Sequence, residues 1–397
     1  MRIAIFDYIT VRDNPTGGCV LALLNGLCEE HEFTVFSAAL ENPRPDRIRW
    51  VRIPMPLRPL AFLFLWFHVV AALFYLWYRI RGGPRFDLIQ IAESNLWFGD
   101  ISYAHFCHRA FLRDHWHGGR PRSLRAFLKW LDHWFHALLE PWVFRRMRRI
   151  VTPSRGLANE LERHYPELAG KITAVPNPVD VESMAPPSLS ERRTIRAGLN
   201  LREEEIALVF CALGHFERKG LGLLLDALED IGEFPWRLIV VGGRPDALAP
   251  YRNRGNGRAI FTGMQKDIRP FLWAADAFAL PSSYETFSLV TFEAAAARLP
   301  LLVSQLYGVE EILRDGENGI LLPRNRKELE TALRRFIARS STERHSMGAQ
   351  AQRDVASYGP TTFVDRWRCL FREMPQAHCA SSPATVRLSS SVSEPRP

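Results

Sequence analysis

The sequence predicts an α/β protein of two Rossmann-like domains facing each other across a cleft. Three observations carry this. Short apolar runs alternate with amphipathic helical stretches nearly throughout, the signature of parallel sheets with helices on both faces. The alternation is interrupted once, by PVDVESMAPPSLSERRTIRAGLN at 178–200, which mixes proline, serine and charge without sustained periodicity. The chain has 397 residues, 47% of them hydrophobic, which is enough for two cores of ordinary size.

In the first half the strands are IAIF (3–6), FTVF (33–36), IRWVRI (48–53), DLIQI (87–91), ISYAHF (101–106), RIVTP (149–153) and ITAVP (172–176). Helices are expected over 18–30, 60–79, 123–148 and 155–165, with Pro141 kinking or interrupting the third. Strands resume at 207–213, 237–243, 259–263, 277–281, 301–304 and 319–323, and a helical pattern follows from about 327 to 374. The reading divides the chain into a domain at 1–182, a linker at 183–202, a second domain at 203–345, C-terminal helices at 346–375 that pack back on the first domain, and a disordered tail at 376–397. Ligands of open parallel sheets sit at the carboxyl ends of the strands, so the active site belongs between the halves.

Fifty-one Lys and Arg against 43 Asp and Glu give a net charge of +8, so the surface attracts anions. The cluster RRMRR at 145–149 stands beside aromatic residues, which favours a phosphorylated small molecule or an acidic membrane over nucleic acid. Six cysteines at 19, 28, 107, 211, 369 and 379 show no CxxC spacing, which argues against zinc and against a disulfide framework and fits a reducing cytoplasm. The opening MRIAIFDYIT enters a strand directly, without the layout of a signal peptide. LAFLFLWFHVVAALFYLWY at 60–78 has no charged residue, is rich in aromatic rings and is bracketed by Arg58, Arg79 and Arg81. A helix lying in the membrane interface, a buried domain helix and a transmembrane span all remain open for it, with His68, Pro56, Pro59 and the strand that follows weighing against a span.

The stretch PSSYETFSLVTFEAAAARLP at 281–300 passes from a turn into a helix and sets Glu285 and Glu293 eight positions apart. A carboxylate near a helix N-terminus gains from the dipole, which is one reading of Glu285 beside a ligand contact; Glu293, among Phe292 and the alanines, needs a partner. In GHFERKGLGLLLDAL at 214–228, Arg218 and Lys219 fall just before a helix N-terminus, where cations are disfavoured unless an anion joins them. A solvated basic pair is the alternative. The N–H groups of Phe287, Ser288 and Leu289 are placed to hold the same phosphate, and Glu285 and Glu293 bracket it, each bonded to a different sugar. In the first half Thr16, Gly17 and Gly18 permit close approach of a ligand, though any tight turn uses such residues. His105 and His108 end a strand at the cleft, as polar contacts to a sugar or as ordinary core histidines. No D-x-D or H-x-x-x-H is present, so no catalytic metal is expected.

GHFERKG, FTGM and the run 275–323 together resemble the donor-binding domain of retaining glycosyltransferases of the GT4 type, whose fold is the two-domain GT-B. The likeness is strong over about 205–325, with E-x7-E at Glu285 and Glu293 its most specific element. RIVTPSRGLANEL, ITAVPNPVD with Asn177, and PTGGCVLAL resemble parts of the family's first domain. The resemblance implies Lys219 on the donor diphosphate, Glu293 on the nucleotide ribose, Glu285 on the transferred sugar, backbone contacts to phosphate from Phe287, Ser288 and Leu289, and His105, or His108, near the sugar. His215 stands where the family often has arginine, so Arg218 takes up that charge, and Pro178 replaces the usual glycine after Asn177. The implied protein is a cytoplasmic hexosyltransferase, peripheral on the inner face of the cell membrane, using a UDP- or GDP-linked sugar without metal and a glycan or lipid-linked acceptor. A non-catalytic nucleotide-sugar binder of the same fold, or a sugar-phosphate synthase with a soluble acceptor, is the alternative. No G-x-G-x-x-G follows either first strand, which disfavours a dinucleotide dehydrogenase.

Overall fold

The computed structural model describes residues 1–56, 60–116 and 123–374. Arg58, Pro59, Cys379 and the tail expected to be disordered lie outside the described residues.

Two all-parallel sheets form the body. The first has seven strands in the order Ile48–Arg52, Glu32–Ser37, Arg2–Phe6, Leu88–Ala92, Ile101–Tyr103, Arg149–Thr152 and Ile172–Ala174. The second has six: Ala259–Gly263, Trp236–Val241, Ile206–Cys211, Ala277–Leu280, Leu301–Val303 and Gly319–Leu321. Runs such as IALVFC are buried at every position, because helices cover both faces of the sheet. In each sheet the strand order reverses beside the first strand of its half, between Arg2–Phe6 and Leu88–Ala92 and between Ile206–Cys211 and Ala277–Leu280. These reversals are the switch points where such folds bind ligands.

Several elements differ from the sequence expectation for identifiable reasons. The first helix is Pro15–Leu27, starting earlier than expected: Asn14 Oδ1 caps the N–H groups of Thr16 at 3.1 Å and Gly17 at 3.3 Å, and proline fits the first turn. The helix Leu124–Arg146 runs through Pro141 without interruption. The passage 178–200 holds two helices, Val181–Met184 and Leu189–Gly198. Arg192 and Arg196 fasten the second of these to the second sheet through Asp276, at 2.8 and 3.2 Å. The final helix, Pro360–Glu373, returns to the first half, where Phe363, Trp367 and Phe371 join the core formed by Leu23, Leu24 and Leu27.

The apolar segment is one helix, Leu60–Ile80, long and apolar enough to cross a membrane by length and composition. Its inner face is core: Phe64, Phe67, Ala71 and Tyr78 are buried. The outer face leaves Trp66, Val69, Leu73, Leu76, Trp77 and Ile80 exposed, so the helix is neither wholly interior nor free of the domain. It packs against Leu124–Arg146, which exposes Leu124, Phe127, Trp134, Leu138 and Trp142.

Candidate active site between the two sheets

At the switch point of the second sheet a cavity of about 300 Å³ is lined by Cys211, Ala212 and Leu213 after one strand, Val241 and Gly242 after its neighbour, and Lys219, Glu285, Phe287, Ser288, Leu289 and Glu293. Pro15 is the one contribution of the first half to this wall among the described residues. The loop before the helix Leu221–Asp230 is fixed by Gly220, whose φ is +77° and where a Cβ would lie 2.3 Å from the Pro281 carbonyl oxygen. That close approach sets Lys219 against the Glu285 loop. Lys219 Nζ donates to Glu285 Oε1 at 2.8 Å and Arg218 Nη1 lies 3.4 Å from the same oxygen. Both lysine and glutamate are shielded, with side chains 15% and 12% exposed, so the pair is held in a low-dielectric wall and not in solvent.

Glu293 lies half-buried one helical turn further on, and its partial removal from water lifts its carboxyl from 4.5 to about 7. Ser288 caps nothing with its side chain, which instead bonds Thr291 Oγ1 at 2.8 Å. One expectation needs correction here. The Leu289 N–H is already bonded to the Phe287 carbonyl at 3.0 Å, because the chain tightens into the helix, so it does not point out to a ligand. The N–H groups of Phe287 and Ser288 have no such partner among the described residues. His215, at φ +57°, stands beside this loop, and burial together with Lys129, Arg218 and Lys219 pushes it down to about 4.

The glycine loop also differs. Gly17 and Gly18 lie in the first turn of the helix and line neither this cavity nor the one facing it. A Cβ on Gly17 would lie 2.7 Å from the Val11 carbonyl oxygen and 2.8 Å from that of Ile9, so this glycine lets the helix pack on its own preceding backbone. Gly18 faces an outer groove. His105 and His108 do line a cavity in the first half. The strand ends at Tyr103, and the N–H of His105 bonds Glu93 Oε1 at 2.9 Å in place of a sheet neighbour. Burial lowers His105 to about 4, partly offset by the Asn177 amide, so it is neutral near pH 7. His108 Nδ1 lies 2.9 Å from His133 Nδ1, and its ring stacks on His136 at 4.0 Å.

A seam between the halves, missed in the sequence, holds the Glu285 loop from both sides. Tyr284 donates its hydroxyl to Glu160 Oε2 at 2.8 Å, and Ser154 Oγ donates to the Thr286 carbonyl at 2.7 Å. Ser154 is the N-cap and Glu160 the inward face of one helix, Arg155–His164. Glu160 is 1% exposed, and its other oxygen accepts the Tyr307 hydroxyl at 3.1 Å, with His115 Nε2 at 3.2 Å. Gly156 permits the contact: a Cβ there would lie 2.3 Å from the Tyr307 ring. A second cavity of about 540 Å³, also walled by Glu285, opens beside this seam. Among the described residues no group of three or more His, Cys, Asp or Glu side chains converges as a metal ion would require.

Comparison with known proteins gives both halves a place. Residues 17–183 match the model of Glycosyltransferase Family 4, and residues 205–339 that of Glycosyl transferases group 1. The lipopolysaccharide core biosynthesis glycosyltransferase LpsE of Rhizobium meliloti is 35% identical over 119 residues, 29% of this chain and 35% of that one. The chain spans about 35% to 59% of the length of the first curated relatives it matches. Sucrose-phosphate synthase from Thermosynechococcus elongatus shares the fold at a TM-score of 0.73 and 18% identity, over 94% of this chain and 98% of that one. HepE of Anabaena, solved with UDP-glucose, does so at 0.68 and 16%, over 94% and 100%. With each sheet domain matched by its own model and the whole chain sharing the architecture, the protein belongs to the GT4-type glycosyltransferases of the GT-B fold.

Proposed function

We propose that this chain is a retaining, metal-independent hexosyltransferase that moves a sugar from a nucleotide-diphosphate donor to a glycan or lipid-linked acceptor in cell-surface polysaccharide or glycolipid synthesis. The observation that carries this reading is the convergence of Lys219, Glu285 and Glu293 on one cavity at a switch point, where each group has a different chemical task. Lys219, Arg218 and the N–H groups of Phe287 and Ser288 meet the charge of the diphosphate, which grows as the sugar leaves. Glu293 takes the ribose hydroxyls. Lys219 and Glu285 are paired at 2.8 Å, so a diphosphate that competes for the ammonium frees Glu285 to accept hydroxyls of the transferred sugar. His105 approaches that sugar from the facing half as a neutral imidazole. No enzymic nucleophile is needed, since the leaving diphosphate itself helps to deprotonate the acceptor on the same face.

A uridine donor is supported by the neighbour solved with UDP-glucose, and a cell-surface product by the relative named for lipopolysaccharide core synthesis. Membrane attachment on the cytoplasmic face is supported by the paired helices Leu60–Ile80 and Leu124–Arg146. Two of their four exposed tryptophans are topped by cations, Arg81 over Trp77 at 4.3 Å and Arg146 over Trp142 at 3.8 Å. Apolar rings with arginine at their rim suit the boundary between lipid tails and anionic headgroups. The experiment is a thermal-shift panel of nucleoside diphosphates followed by incubation with UDP- and GDP-sugars. Stabilisation by one diphosphate together with slow hydrolysis of its sugar supports the transferase; stabilisation without hydrolysis makes the chain a binder, and neither contradicts the site.

A further inference from the structure

A ligand draws two halves of a chain together only through contacts it makes with both. Among the described residues the cavity of Lys219 and Glu293 is walled by the second half except for Pro15, and proline carries no N–H. The helix that Pro15 opens has little more to give an anion, because its first N–H groups are already taken. Asn14 Oδ1 accepts from Thr16 and Gly17, and the Asn14 carbonyl accepts from Gly18 at 2.7 Å. For the first half to meet the charge of a bound diphosphate, a side chain has to do it.

The helix Leu124–Arg146 brings one to the cleft. Lys129, His133 and His136 are spaced i, i+4 and i+7, so they share one stripe of this helix. Its inner end is tied to the first half: His136 stacks on His108 at 4.0 Å, and His133 Nδ1 lies 2.9 Å from His108 Nδ1. The His133 ring also stacks on Phe106 at 5.6 Å, and Phe106 meets Tyr284 of the second half edge to face at 5.7 Å. At His133 the stripe has therefore reached the seam. Lys129 stands one turn closer to the start of the helix, exposed, within electrostatic reach of both His133 and His215.

His215 belongs to the loop of Arg218 and Lys219. Burial aside, Lys129 acts on it more strongly than either of those neighbours, and Glu285 is the one acid among the described residues that opposes the three. Three cations around one carboxylate leave positive charge in excess on both sides of one cleft, and a diphosphate supplies the balance.

We propose that Lys129 is a third cation on the donor diphosphate, reaching it from the facing half, and that this contact draws the halves together on the bound donor. The inference rests on the transferase reading for the diphosphate itself. Lys219 and Arg218 hold the diphosphate in the open cleft; Lys129 adds its ammonium once the halves close, where water is excluded and the charge of the departing phosphate is greatest.

The test is calorimetry and small-angle scattering on the full chain with UDP, GDP and the parent nucleosides. Lys129→Gln is expected to raise the Kd of the diphosphate that binds about tenfold while the nucleoside Kd stays within about twofold, and to abolish the fall in radius of gyration that this diphosphate causes in the wild type. Lys129→Arg keeps the charge, and should keep the fall in radius and an affinity within about threefold of wild type. The side chain is on the surface, so both variants should melt at the wild-type temperature. Equal diphosphate affinity in wild type and Lys129→Gln, or equal losses for diphosphate and nucleoside, overturns the contact while the transferase reading stands. A wild type that contracts no more than Lys129→Gln overturns the closure. A wild type that binds neither diphosphate overturns the transferase reading, and the role of Lys129 with it.

Discussion

Tyr284→Phe removes one oxygen atom from the seam between the halves and should slow turnover far more than it weakens nucleotide binding. The Tyr284 hydroxyl is 2.8 Å from Glu160 Oε2, and the two residues are 4% and 1% exposed. A hydrogen bond to a buried carboxylate contributes about 1.5–3 kcal/mol, and phenylalanine leaves Glu160 Oε2 without this donor. The ring keeps its packing on His115 at 4.0 Å and on Phe106, so the loss is confined to the bond. Because Tyr284 and Thr286 are the two attachments flanking Glu285, the loosened state misplaces that carboxylate. At about 1.4 kcal/mol for each factor of ten, kcat should fall roughly 10- to 100-fold. The Kd for nucleoside diphosphate should change less than about threefold, since the cavity of Lys219 and Glu293 is built almost wholly by the second half. Steady-state kinetics with the hydrolysed nucleotide sugar and calorimetry with its diphosphate measure the two. Turnover within twofold of wild type refutes the idea that the seam positions Glu285.

Three other outcomes are expected. Gly156→Ala places a methyl group 2.3 Å from the Tyr307 ring and 2.4 Å from Glu310 Oε1, so the seam must shift and unfolding should be easier by about 1–3 kcal/mol in urea; an unchanged midpoint contradicts the close approach. Burial raises Glu93 from 4.5 to about 8 and Glu293 to about 7, so the folded chain binds these protons more tightly than the unfolded one. That stabilisation is complete below about pH 4.5 and is lost as pH rises through 7 and 8; at about 1.4 kcal/mol for each tenfold change in proton affinity, the double Glu→Gln variant should flatten the decline by several kcal/mol, and an equal slope in both proteins argues against it. Serine at Trp66, Leu73 and Trp77, all exposed, should move the protein from sedimenting anionic vesicles to the supernatant without changing its melting temperature; retention on the vesicles removes the membrane proposal.

The parts of the site that were legible in the sequence are those where one segment carries the whole message. PSSYETFSLVTFEAAAARLP announces strand end, loop and helix by itself, and Gly220 next to Lys219 is the turn that brings the lysine to Glu285. The seam was not legible, because Glu160 meets Tyr284 across 124 positions and no local period marks either residue. Asp7, Tyr8, Glu93 and Asn95 have no shared spacing; only the reversal of strand order puts them around one cavity. Leu60–Ile80 stayed ambiguous because both of its faces are apolar, and hydrophobic periodicity cannot separate a core-facing stripe from an exposed one of like composition. Gly17 misled for a related reason: a glycine that admits the backbone of Ile9 and Val11 reads the same as one that admits a ligand.

The central claim is that the second-sheet cavity grips a nucleoside diphosphate. Calorimetric titration of wild type, Lys219→Ala and Glu293→Ala with UDP, GDP and the parent nucleosides tests it most directly. The account predicts that one diphosphate binds the wild type, that Glu293→Ala weakens diphosphate and nucleoside alike, and that Lys219→Ala weakens the diphosphate at least about tenfold more than the nucleoside. Equal affinity of all three proteins for the diphosphate would contradict it.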